Sequence, residues 1–204
     1  MAHEDLQEFV QQLEKNGELI RIKEPLSHHL EIAEVTRRVS KARGPALLFE
    51  NVPGQNMPVL TGAFGSMKRM AMALDVSNLD KLGPKVCDFL DAACPNGPIQ
   101  RLKLAHKLPE ISRAEPELTS HAPCQDLVFK GSEVDLFTIP VLKAWPKDGG
   151  PAITLPLVFT KHPDTGQRNV GMYRLQVYDK NTTGMHWYGG SGGALHYKIA
   201  EEAG

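Results

Sequence analysis

Hydrophobic and polar positions repeat with one period in the first part of the chain and with another near its end. Between Glu4 and Asn16, apolar residues recur every three or four positions, which predicts a helix that stops at Gly17. The same period predicts a helix over Leu30–Ala42 and another over Met67–Leu74, with Ser66 as the N-cap of the latter. The first part of the chain is therefore expected to contain several amphipathic helices.

Short β-prone segments lie between these helices. Strands are predicted over Glu18–Lys23, Ala46–Glu50 and Val59–Ala63, each five or six residues long and bounded by Gly, Pro or Asn. Further helical pattern follows over Asn78–Ala93 and Gln100–Lys107. This part of the chain is therefore expected to contain both helices and short strands.

From Ile153 to Tyr188 the pattern changes to that of β-strands. Apolar, β-prone segments are separated there by two turns rich in polar residues. Three strands are predicted, over Ile153–Thr160, Asn169–Asp179 and Gly184–Tyr188. Two successive hairpins make an antiparallel meander, which is the usual beginning of a barrel or a curled sheet.

The composition shifts between the helices and this meander. Residues 116–123 are rich in Thr, Ser, His and Pro, which makes them the best candidate for a linker. Beyond them, Cys124–Phe129 is predicted to be a strand and Val134–Ile139 a strand or a turn. The sequence GGSGG at 189–193 has the composition of a flexible linker, either engineered or a native mobile loop beside a site.

Asn169 and Arg174 are an unusual polar pair within the middle strand of the meander. Five positions separate them, so their side chains start on opposite faces of a regular strand, and Gly171 between them could mark a bulge. An Asn oxygen suits a hard metal ion, and the Arg fork suits a carboxylate or a phosphate. The alternative interpretation is a solvated outer face with an Asn at the end of a turn.

Composition excludes several classes of function. The 204 residues carry a net charge of −1, so the sequence predicts no electrostatic attraction to nucleic acid or to an anionic membrane. No apolar run approaches the roughly 20 residues of a membrane span, and the polar N-terminus is not a signal peptide. Cys87, Cys94 and Cys124 lack metal-type spacing and are predicted to be buried or bystander thiols in the reducing cytoplasm.

Three blocks of sequence resemble one known family. GPALLFENVPG at 44–54, VDLFTIPVLKAWPKDGG at 134–150 and RNVGMYR at 168–174 are similar to the UbiD family of decarboxylases, which use prenylated FMN. The resemblance implies an α+β fold, with an N-terminal α/β domain over 1–117. An incomplete split β-barrel of the flavin-reductase kind would follow over 118–204.

The resemblance also implies a reaction and a site. The family removes or adds carbon dioxide on aromatic or α,β-unsaturated carboxylic acids without oxidation, and it holds Mn²⁺ or Mg²⁺ and K⁺ beside the flavin phosphate. Asn169 matches a metal ligand of the family, and Arg174 matches the Arg of its catalytic Arg-Glu-Glu network. The residues implied in flavin binding are Thr154, Asn169, Gly171, Met172, Tyr173 and Arg174.

The chain departs from the family pattern at one metal ligand and ends before others. Relatives have a His three residues beyond the position of Trp187, where this chain has Gly190, and His186 and His196 are out of register with it. The metal Glu and both catalytic Glu residues of the family would lie beyond residue 204. We therefore expect no decarboxylation, and weak or no flavin and metal binding, by this chain alone.

Two interpretations of different classes remain open. The chain is either the N-terminal portion of a prenylated-FMN-dependent decarboxylase, or a non-catalytic flavin-binding or interaction subunit that completes its site with a partner chain. Open strand edges favour self-association, so a homo-oligomer or a complex with a UbiD-like subunit is expected. A flavin oxidoreductase is a third possibility, but no residue of the sequence argues for hydride transfer.

Overall fold

The computed structural model describes residue 3 and residues 5–84, 86, 87 and 119–204. Contacts group these residues into two compact units, one up to Glu18 and from Ala63 to Phe129, the other Leu19–Gly62 with Lys130–Gly204. The α-helices whose bounds lie wholly within the described residues are α1 (Leu6–Lys15), α2 (Glu31–Lys41), α3 (Met67–Ala73) and α4 (Gly192–Ala203). The strands are β1 (Leu19–Ile22), β2 (Ala46–Phe49), β3 (Val59–Thr61), β4 (Ala152–Ile153), β5 (Leu157–Lys161), β6 (Arg168–Met172), β7 (Arg174–Val177) and β8 (Thr183–His186).

The first unit contains α1 and α3, each of which begins at a side-chain cap. Asp5 caps α1, and the Ser66 hydroxyl accepts the backbone N–H of Arg69, which confirms the cap predicted at Ser66. Arg69 of α3 is only 3% exposed although it is charged. Its Nη1 lies 3.0 Å from one carboxylate oxygen of Glu18, whose other oxygen lies 2.8 Å from Nζ of Lys68. The pairing compensates the burial of the guanidinium.

The hydrophobic core of the second unit lies at a three-stranded sheet in the order β1–β2–β3. β1 runs parallel to β2, β3 runs antiparallel to β2, and all four residues of the central strand β2 are buried. The buried core cluster consists of Ile32 from α2 with Leu47, Phe49 and Val52. The predicted helix and strands of this region are confirmed to within two residues at each end.

Two small antiparallel sheets follow, β4–β7–β8 and the β5–β6 ribbon. The strand predicted over Ile153–Thr160 is divided into β4 and β5, and that predicted over Asn169–Asp179 into β6 and β7, so both predictions of continuous strands are wrong. Between the pairs 153–175 and 157–172, three residues on one side face two on the other. This mismatch interrupts the ladder, and Pro156 has no N–H with which to continue it.

Three further predictions concern residues 124–139 and the cysteines. Cys124–Phe129 is not a strand: Pro123–Gln125 form a 3₁₀ turn, and the apolar residues after it are exposed and unpaired in the described sheets. Leu136–Thr138 is likewise a 3₁₀ turn, one of the two forms expected there. Cys87 and Cys124 are exposed free thiols, which fits the bystander alternative of the prediction and not the buried one.

Some predictions fall on residues that the structure does not describe. These are the helix over 100–107, the later part of the helical pattern after Asn78, Cys94 and the domain boundary between 117 and 118. In the described ranges, none of the sheets closes on itself. None of the helices found there is both long enough and apolar enough to span a bilayer.

Candidate functional site

Asn169 lies at the centre of a hydrogen-bonded network under α4. It sits on β6 directly opposite Thr160 of β5, and α4 packs on both strands. The side-chain amide of Asn169 donates to Thr160 Oγ1 and to the Tyr173 hydroxyl, both at 3.3 Å. Because both amide hydrogens are used in this way, Oδ1 is the part of the side chain left to accept a ligand.

Tyr173 holds the network against the helix. It lies between β6 and β7, and its side chain is buried with its ring nearly perpendicular to that of Trp187, the ring centroids being 6.1 Å apart. Its hydroxyl accepts the backbone N–H of Gly193 at 3.0 Å. Hydrogen bonds from Asn169, Gly193 and Ser191 hold the pKa of Tyr173 below its ordinary value, while burial acts in the opposite direction.

Glycines surround this tyrosine because there is no room for side chains. A Cβ at Gly171 would collide with the Tyr173 ring, and a Cβ at Gly193 would lie 2.7 Å from ring atom Cε2. A Cβ at Gly192 would collide with Oδ1 of Asn169. The predicted linker 189–193 is therefore wrong for its second half, where Ser191 caps α4 and both following glycines are packed.

His196, which lies within α4, is the last member of the hydrogen-bonded network. Its Nδ1 lies 2.9 Å from Thr160 Oγ1, its side chain is buried, and its ring meets that of His162 edge-on with centroids 5.4 Å apart. The chain of contacts thus runs from His196 through Thr160 to Asn169. Local sequence patterns offer no reason to single out His196, because its partner lies 36 positions away on β5.

Arg174 lies in different surroundings from Asn169. It is exposed on β7, opposite His186 of β8, on the wall of a cavity of about 310 Å³. Gln176 and Tyr178 line the same cavity, and the Tyr178 ring lies over Gly184. His186 lies directly opposite Arg174 on the neighbouring strand.

The structure therefore brings together only part of the predicted site. Asn169, Gly171 and Tyr173 pack around one another, and Arg174 faces a separate cavity. Thr154 is exposed in the break between β4 and β5, and Met172 is exposed at the end of β6. Thr160, which opposes Asn169, was missed, although the hairpin turn at 162–166 fixes their pairing.

The described residues do not by themselves make a divalent metal site. No group of three His, Cys, Asp or Glu side chains that could hold a metal ion occurs in the described part of the chain. Asn169 offers one neutral oxygen, whereas hard cations take several oxygen ligands, usually with carboxylates among them.

Comparison with known protein families gives two adjacent matches. The UbiD_N profile, described as the 3-octaprenyl-4-hydroxybenzoate carboxy-lyase N-terminal domain, matches residues 10–86. The UbiD profile, described as the Rift-related domain of the same carboxy-lyase, matches residues 117–204. Together they account for most of the chain.

Two similar sequences are uncharacterized proteins of Archaeoglobus fulgidus and Aquifex aeolicus. The first is 45% identical over 205 residues and the second 45% identical over 204 residues. The alignments take in 100% and 99% of this chain but 42% of each relative. The chain thus spans less than half the length of these proteins.

Solved structures give the same result. HmfF from Pelotomaculum thermopropionicum, in an evolved dimeric form with prenylated FMN, is 26% identical and superposes with a TM-score of 0.79 over 99% of this chain and 42% of that one. The closed form of vanillic acid decarboxylase (ShVdcCD) from Sedimentibacter hydroxybenzoicus is 25% identical with a TM-score of 0.78, over 98% and 40% of the two chains.

Proposed function

The chain belongs to the UbiD family, and from that premise we propose that it forms part of a non-oxidative (de)carboxylase of aromatic or α,β-unsaturated carboxylic acids. Prenylated FMN would supply the electron sink for loss of carbon dioxide. Residues 118–204 would contribute to a split β-barrel that binds this flavin, behind an α/β domain over 1–117. The chain spans about 42% of its relatives, so the activity is proposed for the assembly to which it contributes.

The position of Arg174 is the observation that carries the proposal. Its guanidinium is exposed on the wall of a cavity of about 310 Å³, on a regular strand that fixes its backbone. A guanidinium fork binds a carboxylate through two parallel hydrogen bonds. Arg174 would therefore orient the carboxylate of the substrate, or a catalytic Glu, at the place where carbon dioxide leaves.

Asn169 would contribute to cofactor binding through its oriented amide. Thr160 and Tyr173 accept both amide hydrogens, which leaves Oδ1 available beside Gly192. We propose that Mn²⁺ or Mg²⁺, with K⁺, binds at Oδ1 only when further protein supplies the carboxylate ligands. Thr154, Met172 and the backbone from Gly171 to Arg174 would then contact the flavin.

The solved neighbours support the choice of cofactor and substrate class. The HmfF structure contains prenylated FMN, and ShVdcCD is a decarboxylase of vanillic acid, an aromatic carboxylic acid. Both superpose over nearly the whole of this chain. A flavin and an aromatic or unsaturated acid are accordingly the ligands proposed here.

A second candidate is a non-catalytic subunit that binds flavin or a UbiD-like partner chain. Gly190 favours it, because the family places a metal-binding His at this position and this chain does not. In that case the partner would supply the His and the glutamates. A homo-oligomer would complete the site only if His and Glu side chains from elsewhere in the second copy reached it.

The cofactor part of the proposal is tested by calorimetric titration with FMN and Mn²⁺. Weak or no binding is expected for the unmodified chain, and tighter binding is expected for Gly190→His if the missing imidazole limits affinity. Micromolar binding by the unmodified chain would show that its site is already complete. Equal, weak binding by both would place the deficit in the missing carboxylates.

A further inference from the structure

A second, larger cavity lies in the same compact unit as the candidate site. Its volume is about 670 Å³, and it lies between α2, the end of β3 and the segment 142–146. Apolar side chains, among them Leu30, Ala33 and Leu142, provide most of the lining. This volume falls within the range of small-molecule sites. None of its lining residues belongs to the Arg174 cavity or to the Asn169 network.

The backbone that forms one wall of the cavity is held in a strained conformation. Leu30 has φ of +73°, a value that side-chain-bearing residues rarely adopt. Two hydrogen bonds fasten this turn to the opposite wall, from Leu30 N to Lys143 O at 2.9 Å and from Lys143 N to His28 O at 3.1 Å. Strain of this kind persists where the surrounding structure determines it, and it is concentrated at ligand sites. The two walls are therefore fixed relative to one another.

Trp145 and a hydroxyl pair determine the shape that the cavity accepts. The indole of Trp145 lines it and is 57% exposed, which is high for a large aromatic side chain. Thr36 and Thr61 join their hydroxyls at 2.8 Å on the cavity wall, and Thr36 Oγ1 also lies 2.7 Å from the carbonyl of Ile32. A flat apolar body can therefore pack on the indole without leaving these hydroxyls unpaired.

Arg37 adds a positioned cation to this apolar surface. Its Nε and Nη2 donate to the two carboxylate oxygens of Glu34 at 2.6 and 2.7 Å, which fixes the guanidinium plane. In the described part of the chain, the edge formed by its two Nη atoms has no protein acceptor. That edge presents two parallel N–H groups, the arrangement that binds a carboxylate.

The charges at the rim favour a ligand with one negative charge. Glu34 also pairs with Arg38, whose Nε lies 2.7 Å from Oε1 of Glu34, the same carboxylate oxygen that Nη2 of Arg37 contacts. One carboxylate and two guanidinium groups leave a net charge of +1. A monoanion would neutralise this cluster, and a neutral ligand would not.

From these contacts we propose that the cavity binds a small monoanion with a flat apolar body, such as an aromatic carboxylate. The ring packs against Trp145 and Leu142, and the carboxylate pairs with the free edge of Arg37. This site is independent of the proposed decarboxylase site and stands whether or not that function is correct.

The test is a titration of the 204-residue chain with naphthoate, followed by the NMR signals of its two indole N–H groups. Trp145→Phe assigns the Trp145 signal. We expect that signal to shift saturably while the Trp187 signal stays in place, and naphthamide, the neutral analogue of the same shape, to bind about tenfold or more weakly. Arg37→Gln should weaken naphthoate binding to a similar extent.

Matched variants distinguish binding in this cavity from binding elsewhere on the chain. Ala33→Phe fills the cavity and should abolish binding, whereas Ala200→Phe on exposed α4 surface should leave it intact. Arg38→Gln, which removes the same charge outside the cavity, should cost less than Arg37→Gln. Arg174→Gln should leave the naphthoate-induced shift of the Trp145 signal unchanged. The proposal is overturned if naphthoate and naphthamide bind equally, if Ala33→Phe has no effect, or if Arg174→Gln removes binding.

Discussion

The α2/β1–β3 region and the β5–β6 ribbon treat their apolar residues in opposite ways. In the first region, Phe49 is 0% exposed at the centre of a core that α2 and β2 share. In the ribbon, Phe159 is 69% exposed, although it too lies on a regular strand. The exposed apolar positions of the ribbon are paired across its strands, Leu157 with Met172 and Phe159 with Val170.

The difference shows that the two regions are stabilised by different interactions. The polar side of the ribbon, with Thr160 and Asn169, faces α4 and is fixed by hydrogen bonds, while its apolar side faces outward. The first region has the ordinary arrangement, with apolar residues inside and ion pairs outside. Stability should therefore depend on apolar contacts in one region and on hydrogen bonds and close glycine packing in the other.

The largest expected effect is the difference in the free energy of unfolding between truncation of Phe49 and truncation of Phe159. Phe49→Ala should lower the free energy of unfolding by about 3–5 kcal/mol, because it leaves a cavity in the core. Phe159→Ala should change it by no more than about 0.5 kcal/mol, since that ring is mostly exposed. Urea unfolding of both variants measures the difference. Equal losses would mean that the exposed face of the ribbon is covered in solution.

A smaller effect is expected from the glycines that pack on the ribbon. Gly193→Ala places a Cβ 2.7 Å from the Tyr173 ring and should cost about 1–3 kcal/mol, less any gain in helix propensity. Gly189→Ala, whose Cβ would meet nothing within 4 Å, is the matched control and should be close to neutral. Comparable stability of the two variants would indicate a flexible linker rather than a packed helix start.

The buried hydrogen bonds of the ribbon should be visible in the titration of Tyr173. Its folded-state pKa is lowered, so the linked stability is present above the ordinary pKa of 10.0 and is lost as pH falls through the folded value. Asn169→Ala removes the leading cause and should raise this pKa. Tyrosinate absorbance measures it, with Tyr173→Phe to identify the signal. An unchanged pKa in Asn169→Ala would contradict the network.

The smallest effect concerns the ion pairs of Glu34 on α2. Arg37 and Arg38 lower the pKa of Glu34 from 4.5 to about 2, so the linked stability is present above pH 4.5 and is lost as pH falls toward 2. NMR titration of the carboxyl should give a higher pKa in Arg37→Gln. Because these groups are solvated, the overall stability should change little between the two proteins near neutral pH.

Sequence patterns predicted the helical region well because burial there follows a single period. The stop at Gly17, which has φ of +69°, and the cap at Ser66 are local signals that residue chemistry alone can supply. The apolar run 127–129 misled the same reasoning, since β-propensity cannot reveal that no strand pairs with it in the described sheets.

The site was less predictable because it depends on register and close packing. Asn169 and Arg174 could be selected from residue type, but the break at Tyr173 that sends them to different sheets arises from a one-residue mismatch with residues 154–156. The composition of 189–193 indicated a flexible linker, whereas packing against Tyr173 makes Gly193 a requirement. Neither the register mismatch nor the packing of Gly193 can be predicted from local sequence patterns.

Carbon dioxide release from an aromatic or α,β-unsaturated acid tests the central claim most directly. This chain is mixed with prenylated FMN and with a segment of a UbiD-type protein that supplies the glutamates and releases no carbon dioxide by itself. We predict release by the combination and none by this chain alone. Arg174→Leu should lower the rate about 100-fold or more, and Arg168→Leu, an exposed arginine on β6, should not. Turnover by this chain alone, or full activity in Arg174→Leu, would contradict the account.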